Sequence, residues 1–209
     1  MEGQEENLGL DLVIYPNSPL APMYARNENQ IIELREISGP PGVEILSGFD
    51  ASYSTDYIYR LSVSGMDVSI REEDLPARLY KTYELKETEE SVSDSDTTVL
   101  AEIEGEIAGF ACLKYHDWNK RAEVKGIYVR PAFKGRGIGA SLITYSVEYA
   151  KTRGARGLWL ETQNINYPAI RLYMKTGFQF CGFDTSLYDP SAVMPGEIAL
   201  YFFREAGSD

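Results

Sequence analysis

The stretch KGRGIG at residues 134–139 alternates cations with glycines immediately before an apolar-periodic run. A turn of this kind can hold an anion. Without side chains at Gly135, Gly137 and Gly139 the backbone brings several N–H groups close to a phosphate, and the N-terminus of the following helix adds partial positive charge. Arg130, Lys134 and Arg136 supply counter-charge. The spacing is not the dinucleotide fingerprint, whose glycines lie two and then three residues apart with an acidic residue about 20 residues on. Nor is it a P-loop, which ends in Gly-Lys-Ser/Thr.

A cradle of this kind needs a strand before it and a helix behind it, and the flanking sequence supplies both. Residues 124–129 (VKGIYV) read as a buried strand. Ile138, Leu142, Tyr145 and Tyr149 give one apolar face to a helix that starts near Ile138 and stops at Gly154. Residues 158–162 (LWLET) are short and apolar, and the intervening helix predicts a central parallel strand. Pro168 predicts the first position of the next helix, and Gly177 its end behind Lys175.

Upstream, residues 31–37 alternate weakly and open the sheet, while residues 57–64 and 67–72 flank Gly65-Met66 as a two-residue hairpin. A further strand is expected at 79–85. The run ETEESVSDSD at 87–96 is acidic and poor in apolar residues, which predicts a solvated loop. Residues 98–103 and 107–115 form a second hairpin around Glu104-Gly105-Glu106, and 178–183 with 197–203 a closing strand pair. The order describes an α+β domain with one mixed sheet over residues 30–209. Residues 1–29, broken by Pro16, Pro19 and Pro22, read as an extension with a short strand at 10–15. It packs on the domain or on a second subunit, which leaves a homodimer open.

With 209 residues, 44% of them hydrophobic, the chain can bury one good core. No apolar run reaches the ~18 residues of a membrane span, and MEGQEEN lacks the layout of a signal peptide, so no membrane partner and a cytoplasmic location are expected. Cys112 and Cys181 lie in apolar stretches, which predicts two buried reduced thiols. A single histidine, His116, argues against a metal centre. The formal charge of −12 argues against nucleic-acid binding and suits a small cationic partner.

The basic residue at 134 followed by Gly137 and Gly139 resembles the Arg/Gln-x-x-Gly-x-Gly/Ala acyl-CoA loop of the GNAT superfamily of N-acetyltransferases. A second pattern of that superfamily, Asn-x-x-Ala-x-x-x-Tyr-x-Lys-x-Gly-Phe, stands here as Asn166, Ala169, Tyr173, Lys175, Gly177 and Phe178. Further stretches look like the streptothricin (nourseothricin) acetyltransferases: TDYIYRLSVSG, WNKR at 118–121, LWLETQNINYPAIRLY at 158–173, FCGFDTSLYD at 180–189 and EIALYF at 197–202. In that family the acceptor is an amino group of the antibiotic's β-lysine moiety.

The resemblance implies a mixed, mostly antiparallel central sheet with flanking helices and a splayed strand pair. Acetyl-CoA would lie in the opening, its pantetheine arm pairing with Ile127, Tyr128 and Val129. The pyrophosphate would sit on Lys134, Gly135, Arg136, Gly137, Ile138 and Gly139, and Asn166 would hold the amide arm.

The chemistry is attack of a neutral amine on a thioester. An amine with a pKa of ~10.4 costs about 4 to 5 kcal/mol to hold neutral at pH 7, so a base is useful, and Glu161 is the expected one. Tyr173 is the expected acid, because a phenol (pKa ~10) can return a proton to a departing thiolate. For the cationic acceptor the expected contacts are Asp184 with Tyr188, then Trp118 and Asp56, with Asp189, Glu197 and Tyr201 in matching stretches. Lys125 stands where the streptothricin acetyltransferases carry a glutamate, and Glu123 lies two residues before it. Other amines (a polyamine, an aminoglycoside-like compound, a protein amino group) and a CoA-binding module without turnover are the alternative readings.

Overall fold

The computed structural model describes residues 11–13, 23–27, 30–47, 49–83 and 85–207. Strands β1 (Asp11–Val13), β2 (Met23–Asn27) and β3 (Gln30–Ser38) precede a short helix α1 (Val43–Leu46). Long strands β4 (Tyr53–Ser64) and β5 (Asp67–Lys81) lead to helix α2 (Leu85–Val92), followed by β6 (Thr97–Ile103), β7 (Glu106–His116) and β8 (Arg121–Val129). A 3₁₀ turn (Pro131–Phe133) opens onto helix α3 (Ile138–Thr152), then β9 (Gly157–Gln163), helix α4 (Tyr167–Lys175), β10 (Gln179–Asp184) and β11 (Ala199–Glu205).

Nine of the strands form one sheet in the order β1-β2-β3-β6-β7-β8-β9-β11-β10, and β4 pairs only with β5. Every pairing is antiparallel except β8 with β9, which the α3 crossover makes parallel. The expected mixed α+β sheet is therefore present. Helix α3 covers one face, setting Ile138, Leu142 and Ile143 against Val99, Ala111, Leu113, Leu158 and Leu160. Helices α1 and α2 cover the other, where Leu46 and Val92 meet Leu100, Phe110 and Cys112. Both faces of β6 and β7 are thus buried, which is why these strands read as near-continuous apolar runs.

Turn chemistry follows the sequence closely. Gly65 has φ 63°, while Glu104 and Gly105 have φ 51° and 80°, the left-handed pair of a tight two-residue hairpin. Helix α3 ends ahead of Gly154 at φ 65° and α4 ahead of Gly177 at φ 87°.

Several expectations need correction. The acidic run at 87–96 is not a loop: it carries most of α2, because Val92 reaches the sheet and is fully buried there. A buried contact outweighs low mean hydropathy when the helix needs only one apolar edge. The strand expected at 79–85 is the end of β5, which runs to Lys81; residue 84 lies outside the described residues. Pro76 is tolerated because the ladder is interrupted there, its register jumping from Tyr57↔Asp74 to Thr55↔Leu79.

Pro168 occupies the second position of α4, not the first, since Asn166 caps the helix and Tyr167 begins it. Cys112 is buried as expected, but Cys181 is exposed. It is the extra residue of a bulge in edge strand β10, where Phe180 faces Phe202 and Gly182 faces Tyr201. Of the strand expected at 10–15, residues 11–13 form β1, paired to β2 and through it to β3; residues 10, 14 and 15 lie outside the described residues.

One buried polar residue ties the β4–β5 ribbon to the sheet. Asn164 follows β9, and its Nδ2 donates to the carbonyls of Tyr59 (2.9 Å) and Gly196 (3.2 Å), while its Oδ1 accepts from Ile198 N (2.9 Å). A two-stranded ribbon has little stability of its own, so such anchors decide whether it stays docked. Asn164→Leu keeps the volume and removes the partner of three backbone groups, those of Tyr59, Gly196 and Ile198. We expect it to lower the unfolding free energy by about 3 kcal/mol in a denaturant titration; a loss below about 1 kcal/mol would remove Asn164 as the anchor.

Candidate active site

Strands β8 and β9 are paired only at their beginnings, Arg121↔Gly157, Ala122↔Leu158 and Glu123↔Trp159. Beyond Glu123 they part. The cause lies in β8, where Gly126 faces Cys112 and Val124 faces Leu113, leaving Lys125 as an unpaired bulge residue. A bulge bends its strand and increases its twist, which turns the end of β8 away from β9. From Ile127 to Val129, β8 keeps β7 on one side and, among the described residues, has no strand on the other.

Two clefts fill the opening. The first, ≈ 390 Å³, is lined by Ile127, Tyr128 and Val129, by Lys134, Gly135, Gly137, Ile138 and Gly139, and by Asn166 and Tyr173. The second, ≈ 600 Å³, lies between β8, the end of β9 and the ribbon base, with Lys125, Glu161, Gln163, Tyr83 and Tyr188 in its walls. They meet at Ile127, Tyr128, Asn166 and Tyr173, which border both.

The first cleft is built to take an anion. Gly137 caps α3 at φ 82° without a side-chain hydrogen bond to the first turn, so the leading amides of α3 are left for a ligand. Gly135, at φ 79°, is in the same left-handed region, which side chains disfavour. The nearest cation is Lys134, whose Nζ lies 3.4 Å from Ser52 O. Arg130 turns elsewhere, pairing with Glu106 at 2.8 Å and lying over the Phe49 ring. Arg136 sits over Phe133, with its guanidinium 5.2 Å from the ring centre, and is not in the cleft wall.

The second cleft is built around one carboxylate. Tyr188 donates its hydroxyl to Glu161 Oε1. Burial raises the Glu161 carboxyl above its usual range, the Tyr188 bond pulls it back down, and the negative charges of Glu123 and Glu197 push it up again. Burial and the adjacent Glu161 push the Tyr188 phenol well above its usual value, so it acts as a donor.

Tyr173 is buried at the junction of the clefts, and burial, followed by the neighbouring Tyr128, Glu161 and Tyr83, keeps its phenol protonated far above neutral pH. Among the described residues its hydroxyl has no hydrogen-bond partner. Asn166 spends its Oδ1 on Ala169 N, 3.3 Å away, as the cap of α4.

The remaining expected acceptor contacts do not converge. Asp184 and Asp189 each close a local turn, onto Ser186 and Ser191 respectively, and neither lines the cleft. Asp56 is paired with Arg78 on the ribbon. Trp118 stands 82% exposed in the β7–β8 turn, and Tyr201 packs by Trp159. Glu197 is buried and taken up by Lys81 Nζ, 3.0 Å from each carboxylate oxygen. His116 Nε2 donates to Glu123 Oε2 across 2.6 Å.

Residues that the sequence did not single out complete the cleft. Gln163 Oε1 receives the hydroxyls of both Tyr83 and Tyr53, joining β9 to the two ends of the ribbon base. Thr88 and Ser91 come from α2. The spacing of Leu85, Thr88 and Val92 on one helical edge is the signal that could have revealed α2, but the acidic composition masked it.

The acetyltransferase (GNAT) family description matches residues 58–178 of the chain. The chain belongs to that family and is an N-acetyltransferase. Streptothricin acetyltransferase of Streptomyces lavendulae is 37% identical over 169 residues, spanning 78% of this chain and 89% of that one. A crystal structure of nourseothricin acetyltransferase superposes with a TM-score of 0.70 at 34% identity, covering 83% of this chain and 99% of the other. A Bacillus anthracis str. Ames protein proposed to be a streptothricin acetyltransferase, solved in complex with acetyl coenzyme A, gives 0.65 at 28% identity over 83% and 97% of the two chains.

If Glu161 titrates in catalysis, its Tyr188 bond sets where. That bond favours the ionised form, so in Tyr188→Phe the acid limb of kcat/KM for an amine acceptor should move to higher pH. An unmoved limb would show that another group controls it.

Proposed function

We propose that the chain transfers acetyl from acetyl-CoA to a primary amine of a streptothricin-type antibiotic, the β-lysine amino group, and so confers resistance to it. The observation that carries this reading is the junction of the two clefts at Tyr173, with the glycine cradle on one side and Glu161 with Tyr188 on the other. The acetyl-CoA cosubstrate supplies an activated acyl group as a thioester. The cradle amides at 135–139 and Lys134 hold its diphosphate, and the unpaired edge of β8 from Ile127 to Val129 holds its amide arm as an added strand. Asn166 borders that arm while capping α4.

Glu161 takes the proton of the incoming ammonium, directly or through water, and its raised pKa brings it nearer the working pH. The new N–C bond forms as the C–S bond breaks, Tyr173 gives its proton to the departing sulfur, and the second proton shed by the acylated nitrogen returns to the Tyr173 oxygen, directly or through water. No covalent acetyl-enzyme is involved. Among the described residues neither cysteine lines a cleft, and burial pushes the Cys112 thiol up to about 12, away from the thiolate a nucleophile needs.

Three measurements test this. Cells expressing the chain should grow at a streptothricin concentration that stops control cells. Tyr173→Phe should lower kcat at least ~10²-fold with little change in acetyl-CoA affinity; unchanged turnover takes Tyr173 out of the mechanism. Acetyl-CoA binding without thiol release across a panel of streptothricin, polyamines, aminoglycosides and peptide amines would instead identify a binding module.

Glu161→Gln gives a paired readout. It should lower kcat by ~10²-fold or more. It should also stabilise the fold at neutral pH, because a carboxyl raised in the native state contributes stability below its unfolded pKa of ~4.3 and loses it as pH rises. The stability difference should therefore shrink towards zero near pH 4.

A further inference from the structure

Lys125 is the residue pushed out of the β8 ladder, and it lines the second cleft. A lone cation there would repel an ammonium, but this one is not alone. Its Nζ lies 3.2 Å from Asp94 Oδ1 and 3.8 Å from Glu123 Oε1. Asp94 also receives Lys114, and Glu123 also meets His116. Two carboxylates thus offset the local cations, and the charge left over in the cleft wall is that of Glu161. Only Asp94 lies within hydrogen-bond distance of the Lys125 ammonium among the described residues, and an ammonium carries three donors.

The polar groups of this cleft then sort by type. Glu161 accepts Tyr188 at Oε1 and keeps Oε2 as an acceptor. Gln163 has its Oε1 taken by Tyr83 and Tyr53, so what it can still offer is the N–H₂. Lys81 is held by Glu197. One free carboxylate oxygen therefore stands with two free donors, on Lys125 and Gln163. Simple amines would satisfy the first and leave the donors without a solute partner.

Resting on the acetyltransferase reading above, we propose that Lys125, with Gln163, selects acceptors that carry a carbonyl oxygen within a few bonds of the reacting amine, making the preferred substrate class aminoacyl amides instead of plain polyamines. Glu161 receives the amine, and Lys125 receives the oxygen. A site that hydrogen-bonds a substrate group discriminates strongly against the analogue lacking it, since its own polar groups are then unpaired.

The test compares two acceptors of similar length, a β-aminoacyl amide and the diamine lacking the carbonyl, in steady-state assays of thiol release. Wild type should favour the aminoacyl amide in kcat/KM by at least ~10-fold. Lys125→Met keeps the stem and removes the donors. Its kcat/KM for the aminoacyl amide should fall at least ~10-fold, while that for the diamine rises because a like charge is gone.

Acetyl-CoA affinity by calorimetry reports that the variant is folded, and Gln163→Glu, which replaces the donor with an acceptor, should reduce the preference independently. Equal use of both acceptors by wild type, or a parallel fall for both in Lys125→Met, overturns the assignment while leaving acetyl transfer standing. Turnover of neither acceptor nor of streptothricin overturns the acetyltransferase reading itself, and this inference with it.

Discussion

Everything at the site depends on two neighbouring parallel strands ceasing to pair. β8 and β9 begin as a ladder and separate beyond Glu123 and Trp159 because β8 carries one residue too many opposite β7. The separation has two products. It leaves a strand edge with unpaired peptide groups inside the molecule, and it opens a volume that the surrounding elements line but do not fill. Unpaired backbone groups shielded from water are costly unless a ligand meets them. The free edge from Ile127 to Val129 lines the first cleft, and the proposed pantetheine arm would pair with it as an added strand.

The two halves of the opening are made by different means. On the cofactor side the chain supplies backbone: a left-handed glycine at the cap of α3, an uncapped first turn and a free strand edge. Such a surface can hold a ligand rich in phosphate and amide groups with few charged side chains, and among the described residues Lys134 is the one cation in its wall. On the proposed acceptor side the chain supplies side chains from β8, β9, α4, α2, the ribbon base and the loop that carries Tyr188. Their hydrogen bonds to each other set which atoms remain for a substrate. Glu161 is both restrained and tuned by Tyr188, whereas Glu197, more deeply buried, is consumed by Lys81.

Relatives extend this picture without replacing it. The agreement with nourseothricin acetyltransferase covers 83% of this chain and 99% of that one, well beyond the cofactor motif alone. Lys125 has two carboxylate neighbours, Asp94 and Glu123, and they explain how a cation is accommodated beside Glu161 in the wall of the second cleft.

Much was legible in the sequence because local rules decide it. Glycines that must take a left-handed backbone, the period of α3, the caps of α4 and the two hairpins are properties of neighbouring residues, and each stands where the sequence put it. Tyr173 and Glu161 were singled out through a motif and an ionisable residue inside an apolar strand, and the fold puts both in the cleft walls; their catalytic roles are the proposal made above. What only tertiary structure decided are the properties that depend on distant residues. The helix within the acidic run exists because Val92 finds the sheet. Asp184 and Asp56 look like free carboxylates in the sequence, and the fold gives one to a serine turn and the other to an arginine. Which of several similar polar residues faces a ligand depends on which have already been satisfied by other parts of the chain, and that pairing is settled in three dimensions.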